Sequence, residues 1–157
     1  MRLLRDNIYS SVIDNGFKPE RDLSYRKTVS VSEHRKSYLL DVSDKKKSAQ
    51  FQVDGYIIVE GQKCDKLILV EFSSDSWAEI LVELKGTDVS HAIDQLESSL
   101  KNENLQHKTI TERRARIVAT SFPASKSDPI MEKAKKRFRQ LYQCDLRGFK
   151  SLQKDNI

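Results

Sequence analysis

The chain has 157 residues, of which 38% are hydrophobic and 32% are charged, and its formal net charge is +5. This length suits a single domain, which we expect over residues 1–157. A membrane-spanning helix is not predicted, because no run approaches about 18 apolar residues, and charges interrupt the N-terminal residues where a signal peptide would be apolar. The basic balance is compatible with a polyanionic partner.

The two cysteines, Cys64 and Cys144, lie far apart in the sequence. This spacing favours reduced thiols over a disulfide framework or a zinc site. We therefore expect a cytoplasmic protein without an organic cofactor.

In the N-terminal third, Leu4, Ile8 and Val12 recur every four residues and predict a first helix that ends at Asn15-Gly16. Residues 17–37 are polar and irregular, and we place at most one short strand there. A strand is predicted over residues 38–42, followed by a polar turn over residues 43–48.

Three β segments follow in close order, at residues 51–60, 65–72 and 77–85, separated by turn-forming residues. They predict an antiparallel meander. The apolar period then changes to that of a helix from Val89 to Leu100, with Thr87 or Asp88 as its cap. A buried parallel strand is predicted at 116–122, a helix at 130–141 after Asp128-Pro129, and a last strand at 144–149. The fold class is α/β in the broad sense, an α+β mixed sheet covered by helices.

The hairpin between residues 65–72 and 77–85 brings charged side chains together. A tight turn about Ser74 puts Asp65 directly opposite Glu83, on one face of the sheet with Cβ atoms about 4.5–5.5 Å apart. Lys85 shares that face, because it lies two residues beyond Glu83. Two carboxylates this close repel unless a cation separates them or one stays protonated. From spacing alone, a metal site and a Glu–Lys ion pair at a strand end remain alternatives.

Three segments carry a resemblance to a known family: CDKLIL at 64–69, ILVELKG at 80–86 and HAIDQL at 91–96. Together they resemble the PD-(D/E)XK nuclease superfamily, which includes many restriction endonucleases, archaeal Holliday-junction resolvases and recombination nucleases. The resemblance covers residues 51–122. It implies a restriction-endonuclease-like core, in which a helix precedes three antiparallel strands, a second helix and a fourth strand.

The resemblance also implies roles for individual residues. Asp65 and Glu83 would be the metal-binding acids, with the Leu84 carbonyl as a further ligand. Lys85 would position the attacking water and stabilise the transition state, and Gln95 would contact the site or the nucleic acid. The sequence departs from the pattern at two points. Cys64 replaces the proline of the motif, and the upstream helical glutamate of many members has no obvious counterpart, with Glu20 and Glu33 as the candidates.

The leading hypothesis is therefore a Mg²⁺-dependent endonuclease that hydrolyses phosphodiester bonds in DNA, with Mn²⁺ able to substitute. A homodimer is compatible with this resemblance, since many such nucleases pair to cut two strands. The alternative is a nucleic-acid-binding or assembly module that keeps the fold with little activity of its own. A nucleotide-dependent kinase or dinucleotide enzyme is disfavoured, because the chain lacks a glycine-rich phosphate loop.

Basic side chains outside the hairpin are candidates for phosphate contacts. We assign nucleic-acid binding to Arg113, Arg114, Lys133, Lys136 and Arg137, with a solvated charged face as the alternative.

A few further residues are weighed as site members. Asp54 is a rival for the acidic position, but a turn at residues 61–63 would place it near Leu69 or Val70, away from Asp65. His91 is interpreted as an ordinary helix residue and Trp77 as a packing residue.

Overall fold

The computed structural model describes residues 7–33, 35–55, 64–84, 88–119 and 129–157. Three helices are observed there, and no helix in these ranges is long and apolar enough to cross a bilayer. The helices and strands are, in chain order, α1 (Ile8–Asp14), β1 (Arg21–Tyr25), β2 (Thr28–Glu33), β3 (Lys36–Asp41), β4 (Lys47–Gln52), β5 (Lys66–Ser73), β6 (Ser76–Glu83), α2 (Val89–Leu100), β7 (Ile110–Val118), α3 (Ile130–Tyr142), β8 (Cys144–Phe149) and β9 (Lys154–Asn156).

The main sheet has six strands in the order β1-β4-β5-β6-β7-β8. In this sheet β1 pairs antiparallel with β4, β4 with β5 and β5 with β6. In contrast, β6 pairs parallel with β7, and β7 with β8. Parallel neighbours need long crossovers, and α2 and α3 lie within the two that join these strands. The predicted mixed sheet and the parallel, interior position of β7 are confirmed. The strand begins at Ile110, six residues before the predicted 116, and residues 120–122 of the prediction lie outside the described ranges.

A second sheet, β2-β3-β9, packs against one face of the main sheet. Its side chains, including Val31 and Leu40, share an apolar cluster with Ile68, Ile80 and Val82. The opposite face carries a second cluster, in which all three helices pack on Leu67, Leu69 and Leu81. The main sheet is thus covered on both faces, which explains why its central strands are apolar at consecutive positions.

The predicted helices α2 and α3 and the strand β8 are confirmed, with small shifts of their ends. The Asp88 side chain caps α2 by accepting the His91 N–H. The first helix covers Ile8–Asp14 and ends at Asn15, with Gly16 at a φ of +93° as the stop signal predicted. Leu4 and the Asp128 cap lie outside the described residues.

The N-terminal strands differ from the prediction. Residues 21–33 contain two strands, β1 and β2, where one at most was expected. The strand predicted at 51–60 is shifted within the described residues, because β4 spans Lys47–Gln52 and begins inside the predicted turn. Residues 56–60 of that prediction lie outside the described residues. Four consecutive residues of β4 are buried: Ser48, Ala49, Gln50 and Phe51. Because this strand is covered on both faces and contains polar residues, it lacks the apolar–polar alternation that identifies a half-buried strand.

Candidate metal centre

The β5–β6 hairpin has the register predicted for it. Backbone pairing runs from Lys66 opposite Val82 to Glu71 opposite Trp77. One step earlier, the Asp65 N–H donates to the Val82 carbonyl at 3.1 Å. β5 begins at Lys66, so Asp65 lies just before the paired residues, at the end of the hairpin farthest from its turn.

Glu83 faces the helical side of the sheet. Leu81, two residues earlier on β6, belongs to the helix-covered cluster, and side chains two apart on a strand share a face. Asp65 lies just before the start of β5. Both carboxylates are almost fully buried, with exposed fractions of 1% for Asp65 and 0% for Glu83.

The backbone after Glu83 is held against Asp65. The Leu84 N–H donates to Asp65 Oδ2 at 2.8 Å, and Leu84 is itself buried. This bond orients the Asp65 carboxylate at the end of β6, where the Leu84 carbonyl was predicted to be a ligand. Lys85, the remaining residue of the predicted site, lies outside the described residues.

Helix α2 is tied to the same end of the hairpin. The Ser99 hydroxyl accepts a hydrogen bond from the Cys64 N–H and donates to the Gln95 carbonyl, each at 2.9 Å. Gln95 is buried, with 6% of its surface exposed. Gln95, the helix residue predicted as a site member, thus lies one turn before Ser99, which binds the backbone just before β5.

The pKa of Cys64 reflects the negative charge of this region. Burial raises the pKa of its thiol well above the usual range, and the neighbouring Glu83 and Asp65 carboxylates raise it further. A thiol with this pKa stays protonated at neutral pH, so it is a poor metal ligand or nucleophile. Cys64 and Cys144 are both free and buried.

The donor set limits which metal fits. Among the described ranges, no group of three or more His, Cys, Asp or Glu side chains is placed to share an ion. The carboxylates of Asp65 and Glu83 and the Leu84 carbonyl remain as candidate ligands, all of them hard oxygen donors. Mg²⁺ is commonly held by only one or two carboxylates, with water and substrate phosphate filling its other positions. The residues therefore fit Mg²⁺ or Mn²⁺ better than a structural zinc site.

Sequence reasoning missed a third buried acid, Glu79, on the same face and strand. It is fully buried and accepts a hydrogen bond from Arg113 Nε at 3.2 Å. Burial raises the pKa of Glu79 to about 7, although Arg113 opposes the rise. The period of two that groups Glu83 with the core face also applies to Glu79, so this signal was present in the sequence.

The predicted nucleic-acid-binding residues divide into two groups. Arg113 donates to Glu79, to the Leu100 carbonyl and to Gln106, and Arg114 pairs with Glu112 and with the Asn156 carbonyl. Arg137 pairs with Glu97 at 3.2 Å and keeps 40% of its side-chain surface exposed. Lys133 and Lys136 are exposed on α3. The three arginines thus form ion pairs or hydrogen bonds with other residues of the chain.

The remaining acidic candidates lie elsewhere. Glu20 precedes β1 and pairs with Lys66 at 2.8 Å, and Glu33 ends β2, so neither is helical. The register inferred for Asp54 is wrong, because the Val53 N–H donates to the Asp65 carbonyl at 3.0 Å. Asp54 is therefore next to this pairing, rather than near Leu69 or Val70.

Two sequence interpretations are clarified by packing. Trp77 is fully buried and stacks on Tyr9, with ring centroids 6.3 Å apart. His91 is exposed in the first turn of α2. Trp77 is thus a packing residue, as interpreted.

Comparison of the chain with family models, with curated proteins and with solved structures yields no match.

Proposed function

We propose that the chain is a divalent-metal-dependent endonuclease of the PD-(D/E)XK type that hydrolyses phosphodiester bonds in DNA. The observation that supports this most directly is that Asp65 and Glu83 are both buried at the same end of the β5–β6 hairpin, whose register is the one expected from the sequence. The element order adds support. Antiparallel β4, β5 and β6, followed by α2 and the parallel strand β7, is the order implied by a restriction-endonuclease-like core.

Each residue then has a separate task. Asp65, Glu83 and the Leu84 carbonyl would hold Mg²⁺, for which Mn²⁺ could substitute. When bound, the ion supplies Lewis-acid polarisation of a phosphoryl oxygen and lowers the pKa of a coordinated water. Lys85 donates to the attacking water or to the phosphate oxygens, and a fixed positive donor stabilises charge that develops there. Gln95, from α2, supports substrate or lysine from the helical side.

The fold already provides the orientation that such a site needs. The Leu84 N–H fixes one oxygen of Asp65, and the Ser99 hydroxyl fixes the backbone of Cys64 beside it. A carboxylate positioned by backbone contacts loses little conformational freedom when it binds an ion.

A cleavage assay with a matched control tests the proposal. Purified protein is incubated with supercoiled plasmid, single strands and branched junctions, with Mg²⁺ or Mn²⁺. We expect Glu83→Gln to reduce metal-dependent cleavage by about 100-fold or more, because a charged ligand worth several kcal/mol is lost. Glu79→Gln makes the same exchange at a buried position on the same strand and face, and we expect it to cut at the parental rate.

The assay has clear contrary outcomes. Equal loss of cleavage in both variants, with both proteins folded, would assign the effect to the buried face and contradict the site. A parental protein that binds DNA without cutting any of these substrates would favour the binding-module alternative. Calorimetric titration with Mn²⁺ gives a second readout, in which Glu83→Gln loses binding and Glu79→Gln keeps it.

A further inference from the structure

A groove of about 700 Å³ lies where the end of β1 meets the turn between β3 and β4. We call it the Tyr25 groove. The residues that line it include Tyr25, Arg26, Lys27, Val42, Asp44 and Lys45. Its volume is within the range of small-ligand sites, and it is distant from the hairpin end that carries Asp65.

An exposed aromatic ring forms one side of this groove. Tyr25 has 65% of its surface exposed, and it is the one aromatic side chain among the exposed large hydrophobic residues of the described ranges. Its strand partner is Lys47, whose Nζ lies 5.3 Å from the ring centroid. A ring in this position offers a flat apolar surface beside a cation.

Cationic side chains also line the groove. Arg26, Lys27 and Lys45 line the groove, and Asp44 is the acid among its lining residues. The Arg26 guanidinium is held by the Ser48 carbonyl at 2.5 Å and the Asp22 carbonyl at 2.7 Å, so its charge is fixed in place. Lys27 and Lys45 are exposed. Their ammonium groups are therefore accessible to a polyanion.

This surface differs from the arginines of β7 and α3. Arg113, Arg114 and Arg137 are paired with carboxylates of the chain itself, which reduces their attraction for an external phosphate. In the Tyr25 groove, exposed cations and an exposed ring occur together. Single-stranded nucleic acids are bound by this combination, because phosphates contact the cations while bases stack on the aromatic face.

We propose that the Tyr25 groove binds an unpaired nucleotide of a nucleic acid strand, with the base against the Tyr25 ring and the flanking phosphates at Lys27 and Lys45. The choice of a nucleic acid over another polyanion rests on the proposed nuclease function. Tyr25 pairs with Lys47, which pairs with Glu71, six residues from Asp65 along β5. At about 3.3 Å per residue, the groove lies about 20 Å from Asp65, so it contacts a part of the strand that is not cut.

Binding is measured with the full chain and a fluorescent oligothymidylate of about 20 nucleotides, by anisotropy in EDTA, where metal-dependent hydrolysis does not occur. Because one stacked base contributes about 1–3 kcal/mol, we expect Tyr25→Ala to weaken binding by at least about five-fold. Tyr25→Phe keeps the ring and should bind like the parental protein. Circular dichroism verifies that both variants are folded.

The contribution of the lysines is tested through salt dependence. Each lost phosphate contact on a single strand lowers the slope of log K against log salt by about 0.7, so Lys27→Gln with Lys45→Gln should lower it by about 1.4. Lys108→Gln with Lys150→Gln, the same change at exposed lysines away from the groove, is the matched control and should leave the slope unchanged.

Several results would overturn the proposal. Parental affinity in Tyr25→Ala, or an unchanged slope in the Lys27→Gln, Lys45→Gln variant, would place binding elsewhere. Anionic phospholipid vesicles that bind through Lys27 and Lys45, while oligothymidylate does not bind, would identify a membrane surface instead. The binding assay needs no metal, so a failure of the nuclease proposal in the cleavage test does not change its result. Conversely, a lack of binding at the Tyr25 groove refutes this proposal without bearing on the metal site.

Discussion

Glu79 points from β6 into the apolar cluster under the helices, where Arg113 is its ion-pair partner. Burial of a carboxylate disfavours its charged form, and here this effect exceeds the attraction of the guanidinium. The pKa of Glu79 therefore rises to about 7. Near neutral pH this core residue changes its charge, which links the stability of the fold to pH.

The sign of that linkage follows from proton uptake. Between the ordinary glutamate pKa and about 7, the folded chain holds a proton that the unfolded chain has lost, so this group makes the fold less stable as pH rises. Over the whole interval the loss amounts to about 3 kcal/mol. Urea denaturation at several pH values between 4.5 and 8 should show this decline in the parental protein.

Glu79→Gln removes the titration and should flatten this part of the pH profile. The amide resembles the protonated acid, so the variant should match the parental protein most closely at low pH. A variant that keeps the full decline would show that another group is responsible.

The strand β9 is held to the main sheet by a buried charge network. Arg116 donates to Asp155 at 2.7 Å and to Asp145 at 3.1 Å, and the Tyr38 hydroxyl donates to Asp155 at 2.6 Å. Although burial opposes ionisation, the hydrogen bonds from Tyr38 and Arg116 hold the pKa of Asp155 below its usual range. One side chain of β9 thus joins β7 to β3 across the two sheets.

We expect Asp155→Asn to destabilise the fold by about 3 kcal/mol, because removal of one partner leaves the buried Arg116 charge poorly compensated. Lys154→Ala is the control in the same strand. Its ion pair with Asp41 is exposed and 4.0 Å long, and such pairs contribute about 1 kcal/mol or less. Chemical denaturation of both variants measures the difference, and equal stabilities would contradict a role for this network in holding β9.

At the scale of the whole molecule, the main sheet connects two apolar clusters. Strands β5 and β6 contribute side chains to both, Leu67 and Leu81 to the helical side and Ile68 and Ile80 to the side of the second sheet. In contrast, β1 is an edge strand whose residues are mostly exposed. Stability should therefore be highest in the centre of the sheet and lowest at β1.

Native-state hydrogen exchange should reveal this gradient. The amides of β5, β6 and β7 are expected to exchange only through global unfolding, whereas those of β1 open locally at a lower free energy. Exchange detected by mass spectrometry after proteolysis resolves these segments. Protection of β1 equal to that of β6 would indicate that the edge is covered in solution.

Local patterns in the sequence were sufficient for the hairpin register, for α2 and α3, and for the parallel pairing of β7, although not for the start of β7 at Ile110. A period of two with a short turn determines which residues face one another, so the pairing of β5 with β6 could be predicted without knowledge of the rest of the chain. The apolar period of α2 likewise determines the face that carries Gln95.

Only the tertiary structure decided the remainder, because it depends on partners that are distant in the sequence. Polar residues such as Gln50 lie in β4 since a covered sheet accepts them once they are paired, here with Glu20. From the sequence, Arg113 was a candidate for phosphate contact. In the structure it bonds to Glu79, a residue 34 positions earlier in the chain. Tyr25 and Lys45 form a groove only because β1 and the β3–β4 turn meet at one end of the sheet. Desolvation and charge pairing act through space, and the order of residues along the chain does not specify them.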